Sequence, residues 1–383
     1  MTIYIISLFL VFCFYTAIKP RAYSFSRNRR FIIISFMLII LVSALRKYTV
    51  GIDLNKYYYN SFIRYLSWDW ADVVNNTYES GFYYFMLIIG KVFHEPQAFI
   101  ALSSIITFGI IGWFILKNSE DVYLSVFIFI TLCSWFMFMN IIRQTFAICF
   151  VLIACEVLKT KKGKSGIVCF VALVVLASLF HNSALAMLML LPLFYMKFRK
   201  REVFISLIAL VVVSFVYDKL FIWVASFMNH RDYVSVYLKQ GLSDSGMLST
   251  IMLVIYALIF GLATYVLVWK RNRQTADDSH VASCYQMGIQ DRFSDDFLMY
   301  CMLAIVATRL LSANLTIIGR LSYYFYPFLW ILIPRVLSNV KNPSNKRIIK
   351  FLVYVVGIVL FLMIGFTRAD VLYGTVPYEF YWQ

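Results

Sequence analysis

The chain has 383 residues, is 62% hydrophobic, has a mean hydropathy of +0.78 and carries a formal net charge of +16. That charge would suggest nucleic acid in a soluble protein, but apolar runs of spanning length recur from Ile3 to Phe366. The composition therefore describes an all-α polytopic integral membrane protein with no soluble domain, and it excludes nucleic acid as a partner.

Thirteen apolar segments follow in order: 3–18, 31–45, 81–93, 97–116, 122–139, 141–158, 165–180, 183–196, 203–228, 248–269, 295–311, 319–334 and 351–366. They predict about 12–13 transmembrane or re-entrant helices in one membrane domain covering 1–383. The first run lacks the positive flank and small-residue cleavage site of a signal peptide and reads as a retained helix. Of the 35 Lys and Arg, 21 fall in Lys19–Arg30, Lys159–Lys164, Lys197–Arg201, Lys270–Arg273 and Arg335–Lys350, which the positive-inside rule assigns to the cytoplasm. Segments 46–80, 229–247 and 367–383 then lie outside, and 270–294 is a cytoplasmic loop. Five apolar segments separate the cationic loops 19–30 and 159–164, an odd number that cannot return the chain to one side. Either the 13-residue run 81–93 fails to span, the favoured reading, or another short element dips in and back. The seven Cys show neither a CxxC motif nor a pair in an outer loop, so no disulfide and no metal site are expected.

Within 54–78, Tyr58, Phe62, Tyr65, Leu66, Trp68 and Trp70 alternate with charged residues. The pattern predicts an amphipathic outer helix whose aromatics form a headgroup-level belt or, in the sharper reading, a platform for sugar rings.

Five polar groups interrupt the apolar background. Arg46 to Asp53 offers two cations, the permissive Gly51 and a carboxylate, suiting a turn that holds a pyrophosphate with Arg46 and aims Asp53 elsewhere. The plainer reading has Arg46 snorkelling to lipid headgroups. Glu79, before the third apolar run, is either a helix-end carboxylate favoured by the macrodipole or a catalytic group. Arg143 and Gln144 lie between two apolar runs. The guanidinium there suits a bidentate phosphate or carboxylate, or else a salt bridge to an acid elsewhere. His181, in the tight turn Phe180–Ser183, is a candidate base or a structural turn donor. Arg320 opens the twelfth run in the stretch Gly319–Phe325. Arg309 either shares its surroundings or belongs to the preceding helix. All five groups come out on the extracytoplasmic side of the charge-derived topology, which suggests one site. No Walker-type loop, dinucleotide fingerprint, HExxH, GxSxG or metal-spaced acidic pair occurs, so an ATP-driven pump and a zinc protease are excluded.

The ordered set RKYTVGIDLNKYY, YESGFYYF, NIIRQTFA, FHNSAL, GRLSYYFYPF and VPYEFYW resembles the EpsG-like polysaccharide polymerases, relatives of the Wzy-type polymerases of O-antigen, capsule and exopolysaccharide pathways. The resemblance runs from Arg46 to Tyr378. The leading motif keeps Arg46, Gly51 and Asp53 but lacks an earlier Gly of the family's R-Y-G-x-G-x-D pattern. It implies a cofactor-free glycosyltransferase of the bacterial inner membrane, with its site facing outward. Such an enzyme joins oligosaccharide repeat units carried on undecaprenyl pyrophosphate, with a flippase and a chain-length regulator as partners beside the membrane lipid. On that reading Arg46, Arg143 and Arg320 hold the pyrophosphate, and His181, then Asp53, then Glu79 are candidates for the base. Gln144, Gly51 and Tyr324 complete the substrate contacts. The alternatives are an O-antigen-ligase-like transferase, disfavoured by the absence of a large late outer loop, a lipid-linked oligosaccharide flippase, disfavoured by the lack of repeat symmetry, and a membrane acyltransferase using His181.

Overall fold

The computed structural model describes residues 1–21, 24–76, 79–161, 163–227, 246–270, 292–312 and 316–383. Most of loops 229–247 and 270–294, together with Tyr78 and Cys284, lies outside the described residues. Among the described residues every regular element is helical, and the one extended pairing is an isolated bridge between Arg46 and Phe380.

Packing divides the chain into two units, Met1–Leu188 with Ile289–Arg292 and Asn342–Gln383, and Met189–Gly288 with Phe293–Lys341. The first unit contains α1 (Thr2–Ile18), α2 (Phe25–Ala44), α3 (Tyr59–Tyr65), α4 (Trp70–Asn76), α5 (Ser80–Phe93), α6 (Pro96–Asn118), α7 (Val122–Thr131), α8 (Ser134–Asn140), α9 (Ile142–Thr160) and α10 (Lys164–Ser178). The second contains α11 (Leu190–Tyr195), α12 (Lys200–Phe227), α13 (Met247–Ala263), α14 (Asp295–Leu311), α15 (Thr316–Gly319) and α16 (Tyr326–Ser338). Helices α17 (Pro343–Thr367) and α18 (Ala369–Tyr373) return to the first.

Each of the thirteen apolar segments falls on a helix or a helix pair, as a membrane demands of backbone that cannot bond to water. Among the described residues, three helices are long and apolar enough to cross alone: Pro96–Asn118, Met247–Trp269 and Pro343–Thr367. The pair α7 and α8, bent by 62°, makes a fourth if it acts as one span. Helix α5 has 14 residues and is therefore about 21 Å long, well short of a ~30 Å hydrocarbon core. Large apolar side chains stay exposed on α1 (Phe9), α12 (Phe215) and α17 (Phe366), a surface suited to lipid and not to water.

Local chemistry explains several element boundaries. Pro96 and Pro343 open their helices at the first turn, where a missing N–H costs nothing, and Asn342 accepts from the Ser344 and Asn345 N–H groups. The α7–α8 break falls at Cys133, whose φ of 56° no helix interior allows. A second break at Ile141 starts α9, so Asn140 and Arg143 flank a corner.

Two sequence expectations change here. Tyr58, Phe62 and Tyr65 are buried in a cluster with Phe82, Phe99, Ile142 and Phe146, so these rings are core and form neither a belt nor a sugar platform. Their spacing put one helix face in register with α5 and α6, and burial of large rings outweighs interfacial placement. Tyr57 and Trp70 do remain exposed. Lys159, counted above as a loop cation, is buried in the last turn of α9, bonded to Asn118 at 2.7 Å and paired with Glu156 at 2.9 Å.

Candidate functional site

Three of the five polar groups meet in the first unit. Glu79 sits immediately before α5, yet its side chain makes no capping bond to that helix, so capping does not account for it. Its Oε1 lies 2.7 Å from His181 Nδ1 and accepts the Asn182 N–H at 3.1 Å. Its Oε2 accepts from Arg143 Nη1 at 2.7 Å. Arg143, in the first turn of α9, also directs Nε at the Tyr58 hydroxyl at 3.4 Å and stacks its guanidinium over that ring. The salt bridge to a distant acid thus exists, and its partner is another of the polar groups.

The backbone brings these side chains together. Gly81 N–H donates to Leu179 O at 3.0 Å, joining the start of α5 to the His181 turn. A Cβ at Gly81 would stand 2.9 Å from Leu179 Cβ and 3.1 Å from its carbonyl oxygen, so only glycine admits this approach. Phe180 stacks on Phe146 of α9 at 5.7 Å, anchoring the residue next to His181. The Asp53 N–H is held by Asn140 Oδ1 at 2.8 Å, which ties the Gly51–Asp53 turn to the α8–α9 corner beside Arg143.

The electrostatics fix the roles available. Burial alone would raise the Glu79 carboxyl, but the His181 hydrogen bond and charge, the Arg143 guanidinium and the Asn182 N–H hold it below its ordinary value. An ionised Glu79 accepts only, so the neutral His181 ring places its proton on Nδ1. Its Nε2 has no hydrogen-bond partner among the described residues, and the ring is 23% exposed. That arrangement, an acidic group orienting an imidazole whose far nitrogen can take a proton, is the working part of many acyl-transfer sites. Burial pushes the Tyr58 phenol up to about 12, so it stays protonated beside Arg143.

The other residues proposed from sequence are placed differently. Arg46 is 1% exposed and does not present its guanidinium outward, because its side chain turns into the interior past the end of α2. There it lines a small pocket with Ser103, Ser104, Thr107, Phe108 and Phe138, and Nε and Nη1 find no partner among the described residues. Burial lowers its pKa to about 10, which leaves it cationic at neutral pH. Gln144 is 3% exposed, inside α9. Gly51 adopts a φ of 124°, a conformation that side chains rarely take, and so earns its place as a turn residue. In the second unit Arg320 is exposed at the head of a 3-10 turn, while Tyr324 is fully buried and offers no surface for an outer ligand. Arg309 belongs to α14, where Nε and Nη2 donate to the Tyr326 hydroxyl and the guanidinium stacks over Tyr323.

Sequence reasoning gave Gly81, Asn140 and Asn182 no role at the site and read Tyr58 only as part of an aromatic face. All four sit within the motifs quoted above. The available signal was a polar or small residue at a helix break, where an unpaired backbone group needs a partner. Among curated proteins and among solved structures, no match is found. The sequence model of the EpsG family matches residues 29–380, and the chain belongs to that family.

Proposed function

We propose that this protein joins lipid-pyrophosphate-linked oligosaccharide repeat units at the extracytoplasmic face of the bacterial inner membrane, the polysaccharide-polymerase reading that its family suggests. The observation carrying the chemistry is the Glu79–His181 pair braced by Arg143. In the step proposed, His181 Nε2 takes the proton from an acceptor sugar hydroxyl. The hydroxyl oxygen forms the new bond to the anomeric carbon of the donor. The bond from that carbon to the lipid pyrophosphate breaks, and the leaving group keeps the electron pair.

Glu79 is then a positioning residue, since both of its oxygens are engaged, and His181 precedes Asp53 as the base. Arg143 has N–H groups beyond its two bonds, so it is a candidate donor to the pyrophosphate. No nucleotide sugar is needed, in keeping with the missing nucleotide motifs. Undecaprenyl as the carrier, a flippase delivering the units and a chain-length regulator belong to the same reading.

The deciding experiment supplies purified protein with a lipid-pyrophosphate-linked repeat unit and no nucleotide sugar, and sizes the products. A ladder spaced by whole repeat units is expected from the wild type, and the ladder is expected to be lost in His181→Ala. Bound but unextended units would instead support a ligase missing its acceptor, or a flippase.

A further inference from the structure

Residues 374–383 run along the turn that follows α2 and join it through an isolated antiparallel bridge. Lys47 N–H donates to Glu379 O at 3.0 Å, Arg46 pairs with Phe380, and Tyr381 N–H donates to Leu45 O at 2.9 Å. A separate backbone bond joins Gly51 N–H to Gly374 O at 2.7 Å. Tyr378 ties the segment to α2 by donating its hydroxyl to Val42 O at 2.7 Å. Tyr4 of α1 donates to Thr375 O at 3.0 Å.

One side chain reinforces these backbone bonds. Glu379 Oε2 accepts from Thr49 Oγ1 at 2.9 Å and lies 3.3 Å from Lys47 Nζ. Those two partners hold its carboxyl below the ordinary value. Gly374 has a φ of 61°, and a Cβ there would meet Ile52 Cγ1 at 2.8 Å and Ile52 N at 2.9 Å. The contact is therefore built on two glycines, Gly51 and Gly374, in conformations that other residues avoid.

From this turn the helical stretch Leu54–Tyr58, and after it a series of hydrogen bonds, lead to the Glu79–His181 pair. Asp53 N–H is held by Asn140 at the α8–α9 corner, and Leu54 and Tyr58 are buried directly after it. The Tyr58 hydroxyl accepts from Arg143, and Arg143 holds Glu79. We propose that the C-terminal segment Gly374–Gln383 is a strap that sets the Leu45–Asp53 turn, and through Asn140 and Tyr58 the Arg143–Glu79–His181 group, with Glu379 as its positioning residue. The proposal rests on the reading of that group as the catalytic centre.

A purely stabilising role makes a different prediction. The Glu379 side chain is 41% exposed, and ion pairs at such positions contribute little to global stability. Its removal should loosen the turn locally and leave the fold intact. The test compares Glu379→Ala, Glu379→Gln and, as a charge-removal control outside the strap, Asp370→Asn. Two measurements are made on each, amide hydrogen exchange and steady-state polymerisation with the lipid-linked repeat unit.

In Glu379→Ala, exchange at the Lys47 and Gly51 amides is expected to rise about tenfold, as loss of a hydrogen bond and a weak ion pair implies, while α6 stays protected and the melting temperature is unchanged. Turnover is expected to fall roughly ten- to a hundredfold with the KM for repeat unit little altered, because misplaced groups cost rate before affinity. Glu379→Gln keeps an oxygen for Thr49 and should recover most of the loss, and Asp370→Asn should behave as wild type. Unchanged exchange in Glu379→Ala, or faster exchange with full turnover, overturns the proposal. Absence of polymer from the wild-type protein sinks the polymerase reading instead, and the exchange measurement still decides whether the strap holds the turn.

Discussion

At the scale of single residues, the site turns on which atoms remain available. Glu79 uses both oxygens, so its value lies in holding His181 in one tautomer and one orientation. Glu79→Gln replaces one accepting oxygen with an N–H group, which can face Nδ1 only if the imidazole carries its proton on the wrong nitrogen. Turnover should fall by about 10²–10⁴, close to the loss in His181→Ala, and the two changes combined should cost little more than either alone. Acid sensitivity gives a second readout. The folded pKa of Glu79 is depressed, so its pairing stabilises the protein above the unfolded carboxylate value. That contribution disappears as pH falls through the lower folded value. Thermal denaturation followed below about pH 4.3, the ordinary value for Glu, should therefore show a steeper acid loss in wild type than in Glu79→Gln. Equal slopes would mean that the pair contributes nothing to folding.

At the scale of elements, the site depends on a helix start and a helix break reaching the same point. Helix α5 arrives at Leu179 with a glycine in contact, and α9 starts at the corner where α8 ends. Gly81→Ala adds a methyl group against the Leu179 Cβ and carbonyl, neither of which is a flexible tip. Overpacking of that kind costs about 1–3 kcal/mol, and it should part Glu79 from His181 before it unfolds α5. The checks are the unfolding midpoint, expected to drop, and turnover, expected to drop by more than the stability loss explains. Normal turnover in Gly81→Ala would show that the close approach is a packing detail. The same logic separates the two ends of α9. Arg143 at its start is part of the site, whereas Glu156 and Lys159 at its other end form a buried pair with Asn118 of α6.

At the scale of the whole molecule, charge placement and helix lengths make one prediction about orientation. Lys56 and Lys346 are both exposed, the first in the segment read as extracytoplasmic and the second in a cationic loop read as cytoplasmic. With the native cysteines accounted for by a parental control, a membrane-impermeant maleimide applied to intact cells should label Lys56→Cys and spare Lys346→Cys. The reverse pattern would put the Glu79–His181 pair on the cytoplasmic side and end the proposal of an extracytoplasmic polymerase.

The sequence by itself determined that the chain is helical and embedded in membrane, because burying backbone in lipid leaves no other choice and apolar length is a local property. It also singled out Glu79, Arg143 and His181, since a charged or titratable group among apolar runs is costly wherever the fold puts it. Only the tertiary structure decided their partnership. Glu79 and Arg143 are 64 residues apart, Glu79 and His181 102, and no periodicity links positions so distant. It alone turned Arg46 and Tyr324 inward, because burial depends on what packs against a residue and not on its type. The pairing of the VPYEFYW stretch with the Leu45–Asp53 turn was equally hidden, since 330 residues separate Thr49 from Glu379 and the bonds between them form only when the helices around them are packed.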